Sequence, residues 1–218
     1  MKKLFLAIRK NHFETVKALI EKKPELVNCT AKQPPKKDDG QSPLQVALKT
    51  GRLEIADFLI EHGADLNFME SEDCANDWRT PVLHDAVLAA VMNCRHTTSI
   101  DLGDKVLTEE HSTEERADAA FAILKKMLER GADVHRKESF GASCAWRLCK
   151  TAEEILPCYS WGEKRVLGNA VITPETEHDL CRIFLLLKEH GTNFDEEEIR
   201  RFRNEKDFPV SRFLKCVM

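Results

Sequence analysis

The sequence predicts an all-α solenoid of stacked helix-turn-helix units, with short hairpin loops between units and capping helices at the ends. Two observations predict it. The first is self-similarity: the stretch from Leu6 to Glu21 aligns with the stretch from Val46 to Glu61, apolar and small positions coinciding throughout. Each reads as two short helical patterns with a break near Asn11 or Gly51. The second is the placing of Gly63, Gly131 and Gly191, each of which closes an apolar-periodic run, as expected where a helix ends on a left-handed residue. A helix with one apolar face cannot bury it alone, and stacking neighbouring units buries it.

The elements follow in order. The first unit, residues 1–28, lacks a leading hairpin and reads as an N-terminal cap whose end is the stretch from Lys22 to Asn28. Cys29 to Asp39 is a polar loop containing proline and lysine. The second unit, residues 39–69, opens at Ser42-Pro43, a cap followed by proline in the first helical turn. Its second helix carries Leu53, Ala56, Leu59 and Ile60 at helical spacing. The third, residues 77–135, has a second helix from Ala119 to Arg130 and an insertion at about 93–113. Its Ser112-Thr113-Glu114-Glu115 has the spacing of a capping box led by Ser112. The fourth, residues 140–194, opens weakly at Phe140-Gly141-Ala142-Ser143, carries an insertion at about 151–173 and restarts at the Thr173-Pro174 cap. Asp195 to Glu198 opens a final helix, with acids at its start and Arg200, Arg201 and Arg203 toward its end, in a C-terminal cap over 195–218. The whole is expected to be one domain, 1–218.

Gly40-Gln41-Ser42-Pro43-Leu44-Gln45-Val46-Ala47, followed by Gly51, Leu59-Ile60 and Gly63-Ala64-Asp65-Leu66-Asn67, resembles a nearly complete ankyrin repeat. The resemblance extends over about residues 4–194 at uneven strength. Trp78, in Asp77-Trp78-Arg79-Thr80-Pro81, stands where that family usually has glycine, so this hairpin turn has to differ. The resemblance implies that His84 bonds to neighbouring loop backbone rather than forming a catalytic pair with Asp85. It also implies that hairpin tips and first helices line a concave binding face. Carried over, the partner-binding candidates are Asp39, Gln41, Asp77, Trp78, Arg79, Arg136, Lys137 and Phe140, with Tyr159 and Trp161 in the second insertion. Tryptophan and arginine are over-represented in interface hot spots, which makes Trp78-Arg79 the sharpest candidate. The alternative is that Trp78 folds back over the first insertion, and that the second insertion is a self-packed loop.

The bounds on function are set by composition. The formal net charge of −4 lacks the basic excess a general nucleic-acid binder needs. The apolar run Leu4 to Ile8 is cut by Arg9 and Lys10, too short for a secretory h-region, and no run reaches the ~20 residues of a membrane span. A soluble, cytoplasmic chain with no membrane contact is expected. Its eight cysteines are expected as reduced thiols. No C-x-x-C or H-x-x-x-H pair occurs, so no metal and no cofactor are expected. Cys158 with His178 is the one nucleophile–base pair to weigh, and nothing in the sequence joins them. The expected function is therefore non-enzymatic: an adaptor or inhibitor that binds one other protein through the concave face, with a monomer expected and self-association as the alternative. An immunity-type inhibitor of a toxic enzyme is a second reading. An enzyme whose site is built by the insertions is a third.

Overall fold

The computed structural model describes the chain except residues 34, 102–103, 161–164, 168–170, 205–207 and 218, and leaves aside the side chains of 37, 99–101, 106, 158–160 and 165–167. The fold is mostly helical, of the ankyrin type. Contacts group the chain into two compact units, residues 1–89 with 122–142 and residues 90–121 with 143–218.

In the first unit the helices are α1 (Lys2–Arg9), α2 (Phe13–Lys22), α3 (Pro43–Lys49), α4 (Leu53–Glu61) and parts of α5 (Val82–Met92) and α6 (Glu114–Glu129). The repeat seen in the sequence is a repeat of backbone. Between α1 and α2, Asn11 takes φ 56°, and between α3 and α4 Gly51 takes φ 65°. The His12 N–H then donates to the Ala7 carbonyl and the Arg52 N–H to the Ala47 carbonyl, both at 2.9 Å. Gly63 and Gly131 end α4 and α6 at φ 84° and 90°, a region open to glycine because it has no Cβ. Beyond them the Ala64 and Ala132 N–H groups reach back to Leu59 and Met127 at 3.0 Å, the bond of a Schellman cap. Leu4, Ile8, Val16, Ile20, Leu44, Ile55, Leu59, Leu83 and Leu124 fill the core.

Asparagines fasten one repeat to the next. Asn28 donates to the Gly63 carbonyl at 2.9 Å and accepts from the Asp65 N–H at 2.8 Å. Asn67 treats the following turn alike, with Gly131 at 3.2 Å and the Asp133 N–H at 2.8 Å. Outside the turns Lys126 bridges Asp57 and Glu61, each at 2.6 Å, and Arg130 grips Glu61 at 2.8 Å.

The second unit holds α7 (Cys144–Ile155), α8 (Pro174–Glu189), α9 (Ser211–Leu214), a 3-10 turn at Glu197–Arg203 and the remaining parts of α5 and α6. Its core stacks Phe184 against Phe194 and Phe213, centroids 5.8 Å apart in each case. Both insertions form antiparallel hairpins, β1 (His96–Asp101) with β2 (Val106–His111) and β3 (Cys158–Ser160) with β4 (Arg165–Leu167). Arg95 anchors the first hairpin to α8: its main-chain N–H, Nε and Nη2 donate to buried Asp179 at 2.9, 3.0 and 2.9 Å.

Three boundaries differ from the sequence reading. The α6 cap is Thr113, whose Oγ1 accepts from the Arg116 N–H at 3.3 Å. Ser112 sits at φ 69° and donates its hydroxyl to the Asn93 carbonyl at 2.6 Å, so it is not the cap. The second insertion starts later than residue 151, because Thr151, Ala152 and Ile155 are buried and continue α7. The segment after Asp195 is a 3-10 turn rather than an α-helix: Ile199 and Phe202 are both buried, and three residues per turn align positions i and i+3. The Thr173 cap stands as read, its side chain accepting from the Thr176 N–H at 3.2 Å.

Candidate functional site

The hairpin segments of the first unit bring three of the expected binding residues into one place. Asn76 accepts from the Trp78 N–H at 3.1 Å, making an Asx turn that shapes the tip without glycine. Ser139 fastens this tip to the next. Its hydroxyl donates to the Asp77 carbonyl at 2.9 Å, the Arg79 N–H donates to that same hydroxyl at 3.1 Å, and the Ser139 N–H donates to the Arg79 carbonyl at 3.1 Å. Those bonds bracket Trp78 and set its ring beside Phe140, centroids 5.3 Å apart and tilted by 52°. Both rings stay open to water, Trp78 at 43% and Phe140 at 66%. With Lys36, Ala75, Asn76 and Asp77 they line a hollow of about 720 Å³.

The other candidates sit differently. Gln41 is buried, at 4% exposure. Asp39 spends both carboxylate oxygens on the Gln33 and Ala75 N–H groups, at 3.1 and 2.9 Å, and the Ala75 bond holds its carboxyl below the ordinary range. Arg79 reaches Glu72 at 3.3 Å. Arg136 is exposed, and its guanidinium donates to the Asn67 carbonyl; Lys137 is exposed beside it. Tyr159 lies in β3, paired with Val166, with its side chain outside the described set, and Trp161 lies outside the described residues.

His84 is fully buried, with Nε2 3.1 Å from the Arg136 carbonyl and Nδ1 3.3 Å from Glu138. It thus ties α5 to the next hairpin, as the sequence reading expected. Seven cysteines are free, and the Cys158 side chain is not described. Among the described residues no group of three or more His, Cys, Asp or Glu side chains is placed to hold a metal ion, and no helix is long and apolar enough to cross a membrane. Sequence reasoning missed Ser139 and Asn76; the faint signal for the latter was an asparagine two residues before Trp78, the spacing of an Asx turn.

Residues 2–70 match the family model for ankyrin repeats (3 copies). Over these residues the chain resembles the ankyrin-repeat family, whose repeats are protein–protein interaction modules. No curated protein matches the sequence. Among solved structures the chain is similar to the ankyrin repeat domain of Bcl-3, described as a unique member of the IkappaB protein family, at 17% identity and a TM-score of 0.42. That match covers 66% of this chain and 45% of that one, so the chain spans less than half of that relative's length.

Proposed function

We propose that this chain is an adaptor or inhibitor that holds one partner protein on the hairpin-tip and first-helix face of its first unit. The observation that carries the reading is the exposed Trp78–Phe140 pair, fixed from behind by Ser139. Two large aromatic rings open to water give up solvent contact on binding. They also lose little conformational freedom, because main-chain bonds already hold the tip. Asp77 and Lys36 supply polar groups at the edge of the hollow, matching the apolar centre and polar rim of protein interfaces.

The test is affinity capture from the source lysate with the wild-type chain and with a Trp78→Ala/Phe140→Ala variant in parallel, each checked for intact helical signal. A partner held in stoichiometric amount by the wild type and lost by the variant supports the reading, and its identity separates adaptor from inhibitor. Equal capture by both removes the aromatic pair from the function.

A further inference from the structure

A second hollow lies elsewhere in the first unit, between α1 and the loop after the first repeat, with a volume of about 520 Å³. Phe5, Leu6 and Pro35 give it apolar walls. Leu6 is 54% exposed, although it sits on a helix whose other apolar residues, Leu4, Phe5, Ala7 and Ile8, are buried. At the base the Arg9 guanidinium grips both oxygens of Asp38, which is 1% exposed. Asp38 is the one acidic residue among the described lining, and Arg9 neutralises it. The rim is basic on both sides: Lys2 and Lys3 stand on α1, Lys32 on the loop, all three exposed. The hollow is therefore apolar within and positive around its mouth.

We propose that this hollow binds a segment of a partner protein in which a large apolar side chain is flanked on both sides by carboxylates. The volume and the apolar walls suit a bulky side chain. The ammonium groups on opposite walls suit acids placed before and after it, since complementary charge fixes register and speeds encounter. A fatty acid carries one carboxylate and answers only one wall. The site shares with the proposed function the premise that the chain binds protein, but it uses none of the hairpin-tip aromatics, so each reading can fail alone.

The test is fluorescence anisotropy on the full chain with a labelled synthetic peptide, Glu-Asp-Glu-Leu-Phe-Glu-Asp-Glu, and a control peptide whose acids are lysines. The acidic peptide should bind saturably and the basic one should not. Leu6→Glu should weaken binding by about tenfold or more, and Lys2→Glu with Lys3→Glu should weaken it and flatten its salt dependence. Trp78→Ala/Phe140→Ala should bind the peptide as the wild type does. Leu6 is exposed, so the fold should survive; circular dichroism checks this, and Leu6→Ser serves as the milder variant. Absent saturation, equal binding of the basic peptide, or indifference to both Leu6 variants would overturn the proposal. Displacement of the peptide by myristate, with tighter binding of myristate alone, would overturn it in favour of a lipid.

Discussion

Gln45 and Asp85 meet in the core of the first unit, the Gln45 side-chain amide donating to the Asp85 carboxylate at 3.1 Å. The same nitrogen donates to the Thr80 carbonyl at 2.9 Å. On the other side the Gln45 carbonyl oxygen accepts from the Ser42 N–H at 3.1 Å, while the Ser42 hydroxyl accepts from the Gln45 N–H at 3.2 Å. One residue thus closes the α3 capping box and bonds to the turn that opens the following repeat. His84 also reaches across to the next hairpin, but to an earlier position in it, the Arg136 carbonyl.

Replacing Gln45 with alanine removes the cap partner and leaves the Thr80 carbonyl without its donor. A lost cap costs about 1 kcal/mol, and stranded buried groups about 1–3 kcal/mol, so Gln45→Ala should destabilise by about 3 kcal/mol in urea unfolding. Gln45→His should cost less, because imidazole can still donate to the Thr80 carbonyl. Equal losses for the two would mean that the bond to Thr80 contributes little.

Gly40 and Gly63 both lie at positive φ, 80° and 84°. A Cβ on Gly63 meets nothing within 4 Å, whereas one on Gly40 comes within 2.5 Å of the Cys74 Cβ. Gly63→Ala should cost only the backbone strain, about 1 kcal/mol. Gly40→Ala should cost clearly more, and Cys74→Gly in the same chain should recover the excess. A double-mutant cycle in thermal unfolding reads the coupling, and additive losses would contradict the geometry.

Asp179 should shape the acid side of the stability curve. Burial works to raise its carboxyl, but the hydrogen bonds from Arg95 outweigh that and hold it below the ordinary 3.8. A carboxyl depressed on folding adds stability above its unfolded value and loses it as the pH falls through the lower folded one. Wild-type stability should thus drop below about pH 4 more steeply than that of Asp179→Asn. At neutral pH the substitution should cost about 2 kcal/mol, less than for a fully buried pair because Arg95 reaches solvent. Parallel acid limbs would exclude this role for Asp179.

The thiols should separate by burial. Cys216 is exposed, while Cys94, Cys144 and Cys149 are buried; burial pushes Cys144 up to about 12 and raises the other two as well. The thiolate is the reacting form. At pH 8 an aromatic disulfide reagent should therefore modify Cys216 in the native chain and reach the buried three only in denaturant, as mapped by peptide mass spectrometry. Modification of Cys144 at the rate of Cys216 would show that the α7 core opens readily.

The second repeat was legible because its demands fall on residue types with one structural use. Ser42 and Pro43 start α3, Gln45 completes the box, and Gly63 supplies the left-handed residue that ends α4. The hairpin over His96–His111 gave no such signal. Its strands, His-Thr-Thr-Ser-Ile-Asp and Val-Leu-Thr-Glu-Glu-His, are mostly polar and lack the apolar alternation that marks a half-buried sheet. The α6 cap was misplaced by one residue because Ser112 and Thr113 are equivalent on paper. Only the Asn93 carbonyl, which takes the Ser112 hydroxyl, tells them apart. At the candidate site Trp78, Asp77 and Phe140 were legible as residue types at turn positions. Their convergence was not, since Ser139 and Asp77 bond across 62 residues of chain and no local pattern encodes that pairing.

Asn28 and Asn67 reach forward to main-chain atoms, a glycine carbonyl and an aspartate N–H, and to no side chain beyond them. The joint is consequently blind to what surface the neighbouring module displays. A copy of residues 29–67 spliced in after Asn67 would arrive with its own Gly-Ala-Asp turn, at the same spacing of 35 residues, to receive the clasp and its own asparagine to pass it on. Such a chain can lengthen by duplication, and alter its outward face by drift, while the connector between modules stays the same.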